Sequence, residues 1–237
     1  MNLRLLLRFV SITGWCVSVS LAGVAVTPVS NVGTTLFYAA SVNSTDLINA
    51  GQATLSSATV SATYGSAFPG SAINDGRYTN ATTDNAFFQN GLHFPAIATY
   101  DFNVSGNTLG YTLTSIRSFM GWAGTSSMIQ GNQTYTVEYS VVGSALYSPL
   151  ATVAYAPFAA VDGINFDSMV TITDTGGVLA AGVDSLRFTF ADPGPGGSFP
   201  GTVVREIDVI GVASVPEPSV IALGLGGLLL LSRRRRL

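Results

Sequence analysis

Side chains that could carry out acid–base or nucleophilic chemistry are few in this sequence. His93 is the only histidine and Cys16 is the only cysteine. A catalytic triad or a zinc site would have to be built around His93 without a second histidine. The sequence has no Gly-x-Ser-x-Gly elbow, phosphate loop or dinucleotide fingerprint. The acids occur singly, mostly in predicted turns, so the pattern does not predict an enzyme.

One predicted loop concentrates oxygen donors around Gly76, which permits a sharp bend. Its members are Asn74, Asp75, Arg77, Asn80, Thr82 and Asp84. Calcium takes about six to eight oxygen ligands from carboxylates and carbonyls. These residues predict either a calcium site or an Asx-rich turn without metal, and they leave both readings open.

A second set of candidates consists of ring side chains in predicted loops, which could bind a ligand by stacking. The set comprises Phe87, Phe88, His93, Trp122 and Tyr147. Aromatic rings are also common in protein cores, so the alternative is that the phenylalanines and Trp122 are buried.

The charge distribution separates the two ends of the chain from its body. The 237 residues include no lysine, and six of the ten arginines lie near the termini. Between Val26 and Pro218, four arginines face thirteen acids, a net charge of −9. An acidic body without a basic stripe argues against nucleic-acid binding.

Apolar and polar residues alternate with the period of a β-strand along most of the body. Residues 134–141, 186–190 and 206–209 show this pattern clearly, and no stretch shows helical periodicity. Weaker strands are predicted at 36–42, 55–62, 97–102, 109–119, 150–155 and 169–173. Glycine and proline clusters separate them. About eight short strands at this spacing predict an all-β sandwich or jelly roll.

Residues 1–25 have the pattern of a secretory signal peptide. Arg4 and Arg8 precede an apolar stretch that ends in the small-residue cleavage pattern Gly23-Val24-Ala25. Cys16 would leave with this signal. The alternative is an uncleaved N-terminal anchor.

The C-terminal segment, 213–237, contains three features in a fixed order. Pro216, Glu217 and Pro218 are followed by the uncharged run 220–231 and then by Arg233, Arg234, Arg235 and Arg236. Twelve residues rise about 18 Å as a helix, which is short of the ~20 residues of a full span. Arginines can snorkel to the headgroup level and stay on the cytoplasmic side. We therefore predict a short transmembrane helix with the arginine cluster as its stop signal.

This order resembles the PEP-CTERM sorting signal of Gram-negative bacteria. The resemblance implies that an exosortase, a membrane transpeptidase, recognises Pro216, Glu217 and Pro218 and removes the tail. The protein would then pass from the inner membrane to the cell surface or the extracellular matrix.

Motifs in the body, residues 26–212, resemble the discoidin (coagulation-factor C-type) domain of the galactose-binding-like jelly rolls. They are Ser-Ala-Ile-Asn-Asp-Gly at 71–76, Val-Glu-Tyr-Ser at 137–140 and Glu-Ile-Asp-Val at 206–209. Phe87 and Phe88 stand where that family has a tryptophan. The resemblance implies a jelly roll whose loops bind sugars or lipid headgroups.

The same resemblance implies a structural calcium ion at the Asp-Gly loop. By it, Asp75 and Glu206 would give carboxylates, and Arg77 and Thr82 would give backbone carbonyls.

These observations predict an exported, non-enzymatic β-sandwich with a binding or structural role in the exopolysaccharide layer. One rival is a secreted carbohydrate-active enzyme, which would require convergent carboxylates. The other is a permanently anchored periplasmic binding protein that is never processed.

Overall fold

The computed structural model describes residues 23–34 and 36–215, which form ten strands and four short 3-10 helices. The strands are β1 (Val24–Val32), β2 (Leu55–Val60), β3 (Ala86–Gln89), β4 (Ala96–Phe102), β5 (Tyr111–Ser127), β6 (Gln133–Val141), β7 (Ser148–Tyr155), β8 (Asp162–Asp174), β9 (Ala180–Phe190) and β10 (Gly201–Ala213). The 3-10 helices are Ala39–Ser41, Gly70–Asn74, Thr82–Asp84 and Met128–Gly131.

Several predicted features lie outside the described residues. These are the signal segment before residue 23, Pro216, Glu217 and Pro218, the apolar run 220–231 and the arginines 233–236. Within 23–34 and 36–215, no helix combines the length and apolarity needed to cross a membrane.

The strands pair antiparallel in two layers of five. One layer has the order β1-β8-β5-β10-β3, and the other has the order β2-β4-β9-β6-β7. A short ladder between β5 and β9 joins them, in which Tyr111 pairs with Val183 and Leu113 with Ala180. This arrangement confirms the predicted all-β sandwich.

The core lies between the layers and follows from alternation along each strand. In β4, Ala98, Tyr100 and Phe102 are buried, whereas Thr99 and Asp101 point outward and are only half-buried. The Tyr100 ring meets Phe188 of β9 edge-on, with centroids 6.0 Å apart. One side of each strand therefore supplies the hydrophobic burial, and the other is left for polar side chains.

The clear alternations correspond to strands β6, β9 and β10, as predicted. Four of the weaker predictions coincide with β2, β4, β5 and β7, and 169–173 lies within β8. Both β5 and β8 are longer than predicted. The register between them is irregular from Trp122 to Thr125 of β5, and the two strands remain paired beyond this point.

The predicted strand at 36–42 is wrong. Leu36 has a positive φ of 56°, which turns the chain, and a 3-10 helix follows at Ala39–Ser41. Side chains bind the backbone there: Asp167 accepts from the Phe37 amide, and Arg117 donates to the Ser41 carbonyl. A segment whose backbone groups are bound in this way has no need of a partner strand.

Two strands were not predicted. β1 is an edge strand whose residues are nearly all exposed, so it carries no alternating signal, and its place at the edge tolerates Pro28. It includes Val24 and Ala25 of the predicted cleavage pattern, and the signal boundary stays a prediction. β3 has only four residues, three of them buried.

Phe88 of β3 was predicted as a ligand-stacking residue, and its position contradicts this. Its side chain is fully buried and stacks on Phe190 across the two layers, with ring centroids 5.6 Å apart and planes 22° apart. The Phe88 ring has no exposed surface and does not line the pocket at the end of the sandwich that the adjacent Phe87 lines, so the alternative of a core residue holds for Phe88.

We expect Phe88→Ala to lower the free energy of unfolding by about 3–5 kcal/mol, because it leaves a large cavity between the layers. The matched change Phe199→Ala, at a ring that is 59% exposed, should cost no more than about 0.5 kcal/mol. Urea unfolding measures both. Equal losses for the two variants would contradict the core position of Phe88.

Candidate ligand-binding site

An aromatic pocket of about 300 Å³ opens at one end of the sandwich. Tyr64 and Phe68 come from the connection between β2 and β3, Phe87 from β3, Trp122 from β5, and Phe199 from the loop before β10. The lining is completed by Thr125, Ser126, Gln130 and Val203. We call this set the aromatic pocket.

The rings support one another by edge contacts. Phe87 lies at the centre, with its centroid 5.5 Å from Tyr64 and 5.7 Å from Phe68, and Phe68 lies 5.8 Å from Trp122. Tilted and edge-on pairs at these distances are the favourable arrangements of aromatic rings. Tyr64 is 39% exposed at the mouth, so the pocket offers apolar surface to solvent.

Local backbone geometry directs these side chains. Gly121, at φ 148°, approaches β8 so closely that a Cβ would lie 2.2 Å from the Phe166 carbonyl oxygen. The register of β5 is irregular beyond it, between Trp122 and Thr125, and a bulge of this kind re-aims side chains. The Tyr64 amide donates to the Phe87 carbonyl at 2.8 Å and fixes the loop to β3.

Gln130 gives the pocket a hydrogen-bond acceptor, Oε1, that has no hydrogen-bond partner within the protein. Its side chain is 3% exposed, and its Nε2 donates to the Phe199 carbonyl at 2.6 Å. Its Oε1 is buried and accepts no hydrogen bond. An unmade hydrogen bond in the interior is costly, so this acceptor favours a donor from a ligand or water. The pocket can therefore hold an amphipathic molecule with one apolar face and hydrogen-bond donors at its edge.

The structure brings together two of the predicted ligand residues, Phe87 and Trp122, and separates the others. His93 follows β3, and its Nδ1 accepts from the Gln89 amide at 3.0 Å, away from the pocket. Tyr147 lies in the loop after β6 and lines a different groove. Sequence reasoning missed Tyr64, Phe68 and Phe199, which lie in irregular segments where no periodicity signals a side-chain direction.

Three of the four residues predicted to hold calcium, Glu206, Asp75 and Arg77, lie at the start of the Asp-Gly loop. Glu206 is fully buried in β10, and its Oε2 accepts from the Gly76 amide at 3.0 Å. Asp75 Oδ1 accepts from the Arg77 amide at 2.9 Å, as in an Asx turn. Thr82 begins the 3-10 helix that follows. Both readings of the loop therefore find support: an Asx turn is present, and it lies against a buried carboxylate.

Among the described residues, no ion pair involves the carboxylates behind this loop, and only Asp208 feels the field of an arginine, Arg117. Burial, followed by the charges of Asp208 and Asp46, raises the pKa of Glu206 to about 10. Burial likewise raises the pKa of Asp208 to about 7 and that of Asp46 to about 6. Each of the three has one buried oxygen without a hydrogen-bond partner.

These unpartnered oxygens agree with a cation, but they do not form a complete ligand set. Across residues 23–34 and 36–215, no three His, Cys, Asp or Glu side chains converge tightly enough to hold a metal ion by themselves. A calcium ion would need backbone carbonyls, as predicted for Arg77 and Thr82. Bound beside Glu206, it would supply the positive charge that the carboxylates lack. Calcium remains a prediction.

No protein-family model matches the chain, and no curated protein matches it. Several solved structures have a similar fold, among them the following three. A CBM32-2 domain of a GH31 protein, bound to GalNAc, is 15% identical over 65% of this chain and 97% of its own, with a TM-score of 0.44. The Streptococcus pneumoniae β-galactosidase BgaA is 14% identical over 70% and 97%, with a TM-score of 0.44. The F5/8 type C domain of a Bacteroides fragilis protein is 13% identical over 68% and 94%, with a TM-score of 0.42.

The third of these is the kind of domain that the sequence motifs resemble. At such identities and TM-scores, the similarity says nothing of what this chain binds, and function must be derived from its own side chains.

In calcium-free buffer with a chelator, we expect the free energy of unfolding to fall as the pH rises from about 4 to about 8. The folded pKa values of Asp46, Asp208 and Glu206 lie above their ordinary values of 3.8, 3.8 and 4.5. The folded state therefore holds protons that the unfolded chain releases, and this stability is fully present only below about pH 4. Urea unfolding across this range measures the slope, and Glu206→Gln should flatten it.

Added calcium should oppose this loss at pH 8, by about 2.7 kcal/mol at one hundred times its Kd. Glu206→Gln should abolish the gain, and Asp192→Asn, at an exposed carboxylate outside the loop, should retain it. A melting temperature of the wild type that chelator leaves unchanged would contradict a calcium site.

Proposed function

We propose that this chain is an exported, non-enzymatic carbohydrate-binding protein that acts in the exopolysaccharide layer outside a Gram-negative cell. In this proposal an N-terminal signal directs export, and an exosortase-type transpeptidase acts at Pro216, Glu217 and Pro218. The arginines 233–236 hold the unprocessed tail on the cytoplasmic side of the inner membrane.

The observation that carries the binding role is the aromatic pocket. A sugar ring presents apolar C–H faces and a rim of hydroxyl donors, which suit aromatic walls with a few placed polar groups. Trp122 and Phe87 offer the walls, and the unpartnered Gln130 Oε1 offers an acceptor.

The position of the pocket relative to the chain ends supports the anchored stage of the proposal. Val24 pairs with Asp174 and Ala213 pairs with Tyr111, so both ends of the described body leave the same end of the sandwich. Trp122 lies eleven residues along β5 from Tyr111, roughly 35 Å at the rise of an extended strand. A body tethered by its C-terminal linker would thus present the aromatic pocket away from the membrane.

The chemistry of the lining supports a binding role over catalysis. The nine residues that line the aromatic pocket include no carboxylate, imidazole or thiol. Hydrolysis of a glycosidic bond normally uses a pair of carboxylates about the bond. A binding module needs no such pair.

We expect the mature protein, isolated from cells, to bind members of an immobilised glycan panel through this pocket. Trp122→Ala should weaken binding about tenfold or more, because it removes a central wall. Phe37→Ala changes another exposed ring outside the pocket and should have no effect. A wild-type protein that binds no glycan, or a Trp122→Ala variant that binds equally well, would contradict the proposal.

The sorting step predicts a change in mass. The mature protein from cells with the transpeptidase should lack the segment after Pro216–Pro218, and cells without the enzyme should retain it at the inner membrane. Intact-mass spectrometry of both forms tests this. A mature form that keeps Arg233–Arg236 in normal cells would favour the permanently anchored alternative.

A further inference from the structure

A second concave surface lies on the outer face of the layer β2-β4-β9-β6-β7, at the end from which both ends of the described body leave. It is a groove of about 330 Å³ whose lining includes Asp101, Ser140, Tyr147, Asp184 and Ser185. None of these residues lines the aromatic pocket. We call it the acidic groove.

The cross-strand register builds one wall of this groove. Ser57, Asp101, Ser185 and Ser140 are direct partners across β2, β4, β9 and β6, and so form one row. Ser57 Oγ donates to Asp101 Oδ2 at 2.7 Å, and Ser185 Oγ donates to Asp101 Oδ1 at 2.8 Å. The carboxylate is thereby held in one orientation, and each of its oxygens keeps a further lone pair for a ligand.

Asp184 brings a second carboxylate to the groove. Its Oδ1 accepts from the Ser140 hydroxyl, which leaves Oδ2 for another donor. Within the part of the chain that the structure describes, neither Asp101 nor Asp184 makes an ion pair. The groove therefore carries two negative charges that the protein itself does not neutralise.

Arg187 is the basic residue closest in sequence to Asp184 and Ser185, and it is paired with a carboxylate outside the groove. Its guanidinium pairs with Glu138, with Nη2 2.8 Å from Oε2, and lies 4.1 Å from the centroid of the Tyr147 ring. Tyr147 is held at its other end by a hydrogen bond of 2.7 Å between its hydroxyl and Ser185 Oγ. Because Tyr147 lines the groove and Arg187 does not, the cation fixes the ring from outside.

We propose that the acidic groove binds a cationic amino-sugar unit of a glycan. The ammonium group lies between Asp101 and Asp184, and the sugar hydroxyls bond to the serine and tyrosine hydroxyls. Charge complementarity selects the cation, because a charge-assisted hydrogen bond to a carboxylate is stronger than a neutral one. The volume is near the lower end of small-ligand pockets, about 300–1,000 Å³, which suits one or two sugar residues better than a peptide.

The test compares two hexasaccharides of equal length on the mature protein by calorimetry. One is the cationic glucosamine hexamer and the other its neutral N-acetylated counterpart. We expect the cationic hexamer to bind more tightly than the neutral one. Asp184→Asn should weaken binding of the cationic hexamer about tenfold. Asp101→Asn and Tyr147→Phe should weaken it too, and the melting temperature of each variant verifies the fold. Asp192→Asn, which removes an exposed carboxylate outside the groove, should leave the affinity unchanged.

Several outcomes would overturn the proposal. Equal weakening by Asp192→Asn would indicate diffuse attraction to the acidic body, and equally tight binding of a lysine hexamer would indicate a trough for basic peptides. Release of shorter oligomers would indicate an enzyme. Trp122→Ala separates the two sites: it should weaken glycan binding at the aromatic pocket about tenfold or more and leave binding of the cationic hexamer intact. Loss of both in that variant would place the cationic ligand in the aromatic pocket and refute the groove.

Discussion

A β-bulge at Arg205 is the constraint on which both ends of β10 depend. The register against β5 shifts there, and the guanidinium is directed into the interior, where it is 1% exposed. Its Nε donates to the Gly121 carbonyl at 3.1 Å, its Nη2 lies 3.6 Å from Asp167 Oδ1, and it lies 4.8 Å from the centroid of the Tyr78 ring. A buried charge is expensive without partners, so this contact set fixes β5, β8 and β10 in one arrangement.

The bulge also determines which side chains of β10 point into the core. Val204 and Ile207 both belong to the core although they are three residues apart, which a regular strand with a period of two would not allow. Before the bulge, Val203 lines the aromatic pocket. After it, Glu206 accepts a hydrogen bond from the Gly76 amide and so holds the Asp-Gly loop. One inserted residue therefore allows the same strand to present Val203 to the aromatic pocket and Glu206 to the oxygen-rich loop.

The sequence allowed the sandwich to be predicted but not the aromatic pocket. Strands such as β6 could be predicted because one face is buried and the other is exposed to solvent. Apolar and polar residues therefore alternate along the sequence with a period of two. Tyr64, Phe68 and Phe199 lie in loops, where direction depends on tertiary contacts. Phe87 and Phe88 are adjacent in a four-residue strand and must face opposite ways. Sequence alone does not say which of them faces the core, and the prediction was wrong for Phe88.

The supply of cations explains why the two acidic regions are left uncompensated. Each of the four arginines in the body is engaged: Arg77 lies near Asp84, Arg117 bonds the Ser41 carbonyl, Arg187 pairs with Glu138, and Arg205 pairs with Asp167. The field of Arg117 offsets only part of the rise in the pKa of Asp208. Without lysine, the body between Val26 and Pro218 has no further basic side chain of arginine or lysine to place beside Glu206 or in the acidic groove. Because Glu206 is buried, its charge must be removed by a proton or balanced by a cation. Asp101 and Asp184, in contrast, line an open groove that a ligand can enter, so their countercharge can come from that ligand.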